Sequence, residues 1–236
     1  MEKVSTGIEG VDRLLSGGLP KGKSYLVAGE PGTGKTLFCL QYLLEGAKKG
    51  EKCIYISIDE RPEHIIFDAE SMGWPIKTYL EDGSLSIFDV TNYFSTPKLG
   101  HDEGINIDQI INDILGHVKK MGASRLCIDP IAPLILTEQH LPEVSTYIRK
   151  LVFAIEDNAE CTTLLTSHVP VGSGKLSQHG IEEFISSGII SLQIAKVHNK
   201  NIRTIWIRKI RGVKLDLSDY HYDILPERGI VLRQAV

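Results

Sequence analysis

The sequence predicts an α/β fold: a mostly parallel central sheet flanked by helices, with a C-terminal antiparallel extension. Three observations predict it. Over the first two-thirds of the chain, apolar strand-like runs alternate with helical patterns, as parallel strands joined by crossover helices do. A Gly-rich turn stands between an apolar run and the amphipathic helix after it. The last third changes to strand-like runs separated by short turns. The 236 residues read as a single domain, 1–236, long enough to bury a full core without disulfide staples.

Each element follows from a local signal. Ser24–Gly29 (SYLVAG) is a short apolar run rich in strand formers,. After the turn EPGTG, residues 35–49 read as a helix, with Leu37, Leu40, Leu44 and Ala47 near helical spacing and Gly50 as its stop,. Residues 53–59 (CIYISID) form a second buried strand. Pro62 suits the first turn of a helix over 62–72,. Residues 84–90 are a third strand, and 91–104 are an irregular, polar surface loop. Ile107–Met121 is helical by pattern, and Arg125–Asp129 (RLCID) is a strand followed by PIAPLIL. Residues 142–158 are a helix and 161–168 (CTTLLTSH) a strand. Residues 169–180, with several Gly and Ser, read as a mobile linker,. Residues 188–196 and 202–210 are two strands joined by a hairpin turn at His198, Asn199, Lys200 and Asn201,. Tyr220–Leu225 and residues 229–232 end the chain as short strands. The last third is expected to be antiparallel and to extend the sheet at one edge.

Composition removes several function classes. A net charge of −4 excludes a molecule that binds nucleic acid through its overall charge, so such binding needs a local basic patch. Cys39, Cys53, Cys127 and Cys161 form no CxxC pair, which excludes a zinc ribbon or thioredoxin-type motif,. They read as buried, reduced thiols. The histidines show no HxxxH or HxH spacing, so no dedicated zinc site is expected,. Trp74 and Trp206 read as packing residues. MEKVSTGIEG lacks the apolar core of a signal peptide, and no apolar run approaches about 18 residues,. The expectation is a cytoplasmic protein without membrane contact.

The chemistry centres on GEPGTGKT, Gly29 to Thr36. It matches GxxxxGK followed by Ser or Thr at every fixed position, with a strand before it and a helix after,. The glycines let the backbone curl so that several N–H groups face one anion. Lys35 supplies a cation, and the helix N-terminus adds its positive end. Glu30, Pro31, Gly32, Thr33, Gly34, Lys35, Thr36 and Leu37 are the expected nucleotide-binding residues. The Thr36 hydroxyl can ligate Mg²⁺, and Asp129, closing a neighbouring buried strand, can be the second oxygen ligand. GSGK at Gly172 to Lys175 lacks the full spacing and reads as loop. ATP is favoured over GTP, because Ala132 stands where the GTPase pattern DxxG needs glycine, and Asn199-Lys200-Asn201-Ile202 lacks the aspartate of NKxD. Hydrolysis also needs a carboxylate near the γ-phosphate. Asp59 and Glu60 end the second strand at the edge where open α/β sheets bind ligands. On position alone they are equally well read as acids that open the next helix.

These motifs together resemble the KaiC family of RecA-like ATPases. The resemblance begins at STGIEGVDRLLSGGLPKG and continues through the phosphate loop to ISIDERPEHII. It includes RLCIDP and TTLLTSH, and ends at IRKIRG. One such unit is present, so the chain resembles a single-domain relative rather than the family's tandem clock protein. The resemblance implies a RecA-like P-loop fold, ATP and Mg²⁺ as cofactors, and ATP hydrolysis. It also implies a homo-oligomer, a hexameric ring, with ATP at subunit interfaces. The family carries paired glutamates after its second strand, and Asp59-Glu60 matches them. Aspartate is one methylene shorter, about 1.5 Å, so Glu60 is the preferred water-activating residue. A K-x-R-G segment from the neighbouring subunit reaches the γ-phosphate in the family; here it is Lys209-Ile210-Arg211-Gly212. Lys35, Asp59, Glu60, Lys209 and Arg211 are therefore the catalytic candidates. RecA-like proteins also sense the γ-phosphate with a polar residue after a central strand, matched by Ser167 or His168. The family's clock member has histidine four residues beyond the arginine, where Leu215 stands here. Its phosphorylated Ser-Thr segment has no counterpart, so autokinase activity stays open.

Read from its residues alone, the basic stretch 196–214 allows two roles. With period-two alternation Ile205, Ile207, Lys209 and Arg211 share one face, and the two cations clamp a phosphate. Alternatively, the lysines protect a sheet edge. At the level of function, an oligomeric ATP-driven switch with a protein partner is the leading expectation. The rival is a RadA-paralogue-like recombination or repair ATPase holding single-stranded DNA. Residues 169–180 occupy the place of its DNA loop, but they offer only Lys175 and His179 and no aromatic residue,. A third class is a non-hydrolysing, nucleotide-dependent assembly subunit.

Overall fold

The computed structural model describes residues 2–93, 107–132 and 141–235. Its strands are β1 (Lys3–Val4), β2 (Leu19–Pro20), β3 (Ser24–Gly29), β4 (Cys53–Ser57), β5 (Leu85–Asp89), β6 (Arg125–Asp129), β7 (Thr162–His168), β8 (Gly188–Val197), β9 (Lys200–Ile210), β10 (Tyr220–Leu225) and β11 (Gly229–Ala235). The helices are α1 (Val11–Leu14), α2 (Lys35–Lys48), α3 (Pro62–Ser71), α4 (Ile76–Glu81), α5 (Ile107–Met121), α6 (Leu141–Asn158) and α7 (Glu182–Ile185). Nine strands form one sheet, in the order β11-β10-β9-β8-β3-β7-β6-β4-β5, and β1 and β2 pair separately.

Burial on both faces explains the apolar strands. On β3, Tyr25 and Val27 enter one core with Phe38, Leu40 and Leu43 of α2, while Leu26 and Ala28 enter the other with α5 and α6. A strand buried on both sides has no polar face, so it reads as a continuous apolar run. All four cysteines lie in these cores as free thiols. Among the described residues, no helix is long and apolar enough to cross a membrane.

The mostly parallel sheet matches the sequence expectation, with one shift at its boundary. β8 pairs parallel with β3, so the antiparallel part begins at β9. The connection from His168 to Gly188 passes through α7 and is long enough for a crossover,. The hairpin turn is also tighter than expected. His198 and Asn199 carry φ of 46° and 60°, a two-residue turn whose twist suits adjoining strands,. The period-two reading of β9 fails near its end. A bulge lies where Ile189 pairs Lys209 and Ile190 pairs Ile207, leaving Arg208 as the extra residue,. Ile205, Ile207 and Ile210 are buried together. Lys209 therefore sits on the opposite face, and Arg211 lies past the strand end.

The segment 169–180 is pinned rather than free. Gly172 N donates to Glu30 Oε1 at 3.0 Å, Gln178 N to Ser167 Oγ at 3.0 Å, and Ser177 Oγ to Glu183 Oε2 at 2.9 Å. The loop expected at 91–104 falls largely outside the described residues, as does the PIAPLIL segment beyond Ala132.

At the amino end of β6, Arg125 is 1% exposed and bidentate to Glu51, with Nε 2.7 Å and Nη2 2.9 Å from its oxygens. Nη1 donates to the carbonyls of Ser5 and Tyr42, tying the N-terminal segment to the sheet. The Arg125 hydrogen bonds hold the Glu51 carboxyl below its ordinary value of 4.5, against the opposing pull of burial. Because the folded-state pKa is depressed, the pair stabilises above about pH 4.5 and loses that contribution as pH falls through the lowered value. Arg125→Met is expected to cost about 3 kcal/mol at pH 7. Urea melts should show the cost of Glu51→Gln shrinking steadily between pH 6 and pH 3.5; a cost independent of pH would contradict the assignment.

Candidate active site

The carboxyl edge of the parallel strands collects the polar residues. Gly29 ends β3, Ser57 ends β4, Asp129 ends β6 and His168 ends β7, while the rest of these strands is buried. In an open α/β sheet this edge is where chemistry is placed.

The phosphate loop is built by left-handed glycines and supported from the C-terminal strands. Gly32 and Gly34 have φ of 79° and 91°. Thr33 Oγ1 donates to Glu30 O at 2.8 Å, closing the turn. Lys35 is 6% exposed, and its ammonium donates to the carbonyls of Gly29 and Glu30 at 3.0 and 3.1 Å. Burial lowers its pKa, opposed by the charges of Asp129 and Glu60. Two supports were not legible in the sequence: the Tyr222 hydroxyl donates to Thr33 O, and Arg203 Nε to Gly32 O at 3.2 Å. They come from β10 and β9, distant in sequence, and no local motif marks them. Pro31 and Gly32 are exposed at the loop tip, and Leu37 is half-buried in the first turn of α2.

Asp129 is 8% exposed, and its carboxylate gathers hydroxyl donors. Thr36 Oγ1 donates to Oδ2 at 2.8 Å, so the two expected metal ligands are brought together. Tyr55 also donates to Oδ2, and Thr166 donates to Oδ1. A hydroxyl beside a carboxylate is a hard oxygen donor set that fits Mg²⁺.

The paired acids separate by environment. Partial burial, then the charges of Asp129 and Asp68, raise the Glu60 carboxyl above its ordinary value, although the residue keeps an exposed face. Glu60 also acts on Lys35, whereas Asp59 acts on the buried hydroxyl of Tyr147. Of the pair, Glu60 is electrostatically joined to the phosphate loop.

The two sensor candidates face opposite ways. His168 lies opposite Gly29 in register, and its pKa is lowered by burial and then by Lys35. Ser167 turns to the other side, bonded to the buried Glu182 at 3.0 Å and to Gln178 N. Lys209 and Arg211 do not join the phosphate loop of their own chain. Ile210 pairs with Gly188, and Gly188 with Tyr25, at the opposite end of β3 from Gly29. Four residues of strand separate the two ends, about 13 Å. Lys209 Nζ donates to Glu183 O at 2.9 Å, and Arg211 is exposed. Trp74 packs as expected, its Nε1 donating to Glu227 O at 3.0 Å. Trp206 stacks beneath the Arg208 guanidinium, 5.0 Å from its ring centre. Both line a cavity of about 460 Å³ beside Glu30 and under the 169–180 segment.

A family model described as "ATPase: KaiC" matches residues 4–235. The circadian clock protein KaiC3 of Synechocystis is 28% identical over 98% of this chain, which spans 46% of that protein. A UPF0273 protein of Methanocaldococcus jannaschii is 29% identical, with 100% of this chain and 98% of the relative covered. The crystal structure of a KaiC-like protein from Pyrococcus horikoshii superposes with a TM-score of 0.82 at 33% identity, covering 99% of each chain.

The loop geometry sets different tolerances at its two glycines. A Cβ at Gly34 would stand 3.0 Å from Ile224 Cδ1, whereas nothing lies within 4 Å of one at Gly32. Left-handed strain alone costs about 1–2 kcal/mol. Gly34→Ala is expected to lose more stability in urea melts than Gly32→Ala; equal losses would mean that Ile224 does not press on the loop.

Proposed function

The chain belongs to the KaiC family of ATPases, and on that premise we propose that it is a Mg²⁺-dependent ATPase working as an oligomeric switch. ATP would bind on Gly29 to Leu37 and complete its site at a subunit interface. The observation that carries this reading is the convergence of Lys35, Thr36, Asp129 and Glu60 at one sheet edge, two of them 2.8 Å apart. Thr36 and Asp129 would hold Mg²⁺, which when bound neutralises phosphate charge. Lys35 would exchange its loop carbonyls for phosphate oxygens. Glu60, with its raised pKa, is suited to take a proton from the attacking water,. Asp59, at the start of the turn into α3, would act on the helix opening instead. Lys209 and Arg211, at the far end of β3 from their own loop, would serve the ATP of a neighbouring subunit. A closed ring lets every subunit both give and receive such a pair, and the family resemblance makes a hexamer the expected one.

A second reading, single-stranded DNA binding, draws support from Trp206 and Arg208. Under the 169–180 segment they supply the aromatic group that the segment lacks and a second cation beside its Lys175,. Steady-state ATP hydrolysis with and without single-stranded DNA, at moderate salt, separates the two. Turnover indifferent to DNA is expected; strong stimulation would make the DNA reading the better one.

Lys35→Ala should abolish ATP binding or hydrolysis. Glu60→Gln should slow hydrolysis far more than binding. Because the Glu60 pKa is raised, wild-type turnover should fall as pH drops through that value, with the acid limb beginning above pH 4.5. A wild-type acid limb retained in Glu60→Gln would remove Glu60 as the base.

Arg211→Ala should be inactive alone, through loss of its contribution to the neighbour. Mixing it with Glu60→Gln protein should restore some activity, since some interfaces then pair an intact Glu60 with an intact Arg211. No recovery in verified mixed oligomers would refute the trans role.

A further inference from the structure

Tyr55 is 1% exposed in the middle of an apolar strand, where phenylalanine would pack as well. A hydroxyl in such a place is costly unless it is paired. Its register partner on β6 is Cys127, two residues before Asp129, and its hydroxyl crosses to Asp129 Oδ2. On the other side, Thr166 of β7 is fully buried and donates to Oδ1. The carboxylate is thus gripped on both oxygens by strands flanking its own. An ungripped carboxylate turns broadly about its terminal torsion; one held at both oxygens does not.

We propose that Tyr55 and Thr166 are positioning residues that clamp the Asp129 carboxylate in the orientation needed to receive a divalent cation with the nucleotide. The inference rests on the Mg²⁺-ATP reading above and adds residues that the phosphate-loop motif does not contain. Thr36 completes the carboxylate's present set of donors, but its hydroxyl is also a ligand candidate. Tyr55 and Thr166 arrive from neighbouring strands and can keep hold when Thr36 turns to the metal. The carboxylate then needs no reorganisation to meet the cation.

The test is a Mg²⁺ titration of the binding of a fluorescent ATP analogue, read without turnover. Tyr55→Phe should raise the Mg²⁺ concentration for half-maximal tightening by about tenfold, as loss of an outer-sphere partner does. Its affinity for the analogue in excess chelator should stay at the wild-type level. Thr166→Val should move in the same direction, and Thr166→Ser, which keeps the hydroxyl, should not. Tyr25→Phe is the control for mere structural loss. It removes an equally buried hydroxyl, bonded to Pro20 O at 2.6 Å and remote from Asp129, and should leave the Mg²⁺ requirement unchanged. A Tyr55→Phe requirement within twofold of wild type overturns the clamp while leaving the ATPase reading intact. A wild-type protein whose nucleotide binding ignores Mg²⁺ overturns both.

Discussion

The buried carboxylate of Asp129 is the constraint around which the rest is arranged. Burying a carboxylate is costly unless its oxygens are hydrogen-bonded. Here the donors come from α2, β4 and β7, with Asp129 itself on β6. Satisfying one carboxylate therefore fixes the order and register of three adjacent strands, and seats the first turn of α2 on them. The same requirement places Thr36, and with it the phosphate loop, beside the carboxylate. Local structure, sheet order and site geometry follow from one polar group that must not be left unpaired.

The sheet then separates two chemistries by its length. The phosphate loop stands at the carboxyl ends of the parallel strands, and the Lys209–Arg211 pair at the other end of the β8–β9 hairpin. Rigid strands cannot fold this distance away, so the pair has no route to its own loop. The bulge at Arg208 adds to this. It turns Lys209 out of the core face and toward Glu183, whose side chain is tied to Ser177 in the loop after β7. On the proposed reading, this outward pair of cations would meet another copy.

Much of this was legible in the sequence, for reasons that differ by element. The phosphate loop is local: every fixed position falls within eight residues between a strand and a helix, so a linear reading finds it. Asp129 is found nearly as easily, because an acid closing an apolar run stands out. Tyr55 is hidden because an aromatic residue in a buried strand reads as packing, and its hydroxyl acquires meaning only when β6 is placed beside β4. Tyr222 and Arg203 reach the loop across almost the whole chain, and nothing near them signals it. The parallel pairing of β8 was missed because strand direction is decided by the connection rather than the strand. The bulge was missed because one extra residue leaves no mark on composition while shifting the phase of every side chain after it.

Charge arithmetic at the site argues for the order in which it fills. Lys35 is the buried cation of the phosphate loop, and the charges of Asp129 and Glu60 both act on it. Asp59 adds a further carboxylate near Glu60. The cations, Lys35 and the Arg203 guanidinium on Gly32 O, stand on the loop side, and a polyphosphate approaching alone meets a negative surplus on the side of Asp129 and Glu60. That surplus is a disadvantage for an anion and an advantage for a divalent cation. A divalent cation cancels two of the polyphosphate's negative charges, and the complex can turn its phosphate side to Lys35 and its cation side to Thr36 and Asp129. On the proposed reading, nucleotide and metal therefore enter as a complex, and the carboxylates act as a filter against free polyanions as well as ligands. On the same reading, Lys209 and Arg211 of a neighbouring copy would add positive charge at the transferring phosphate.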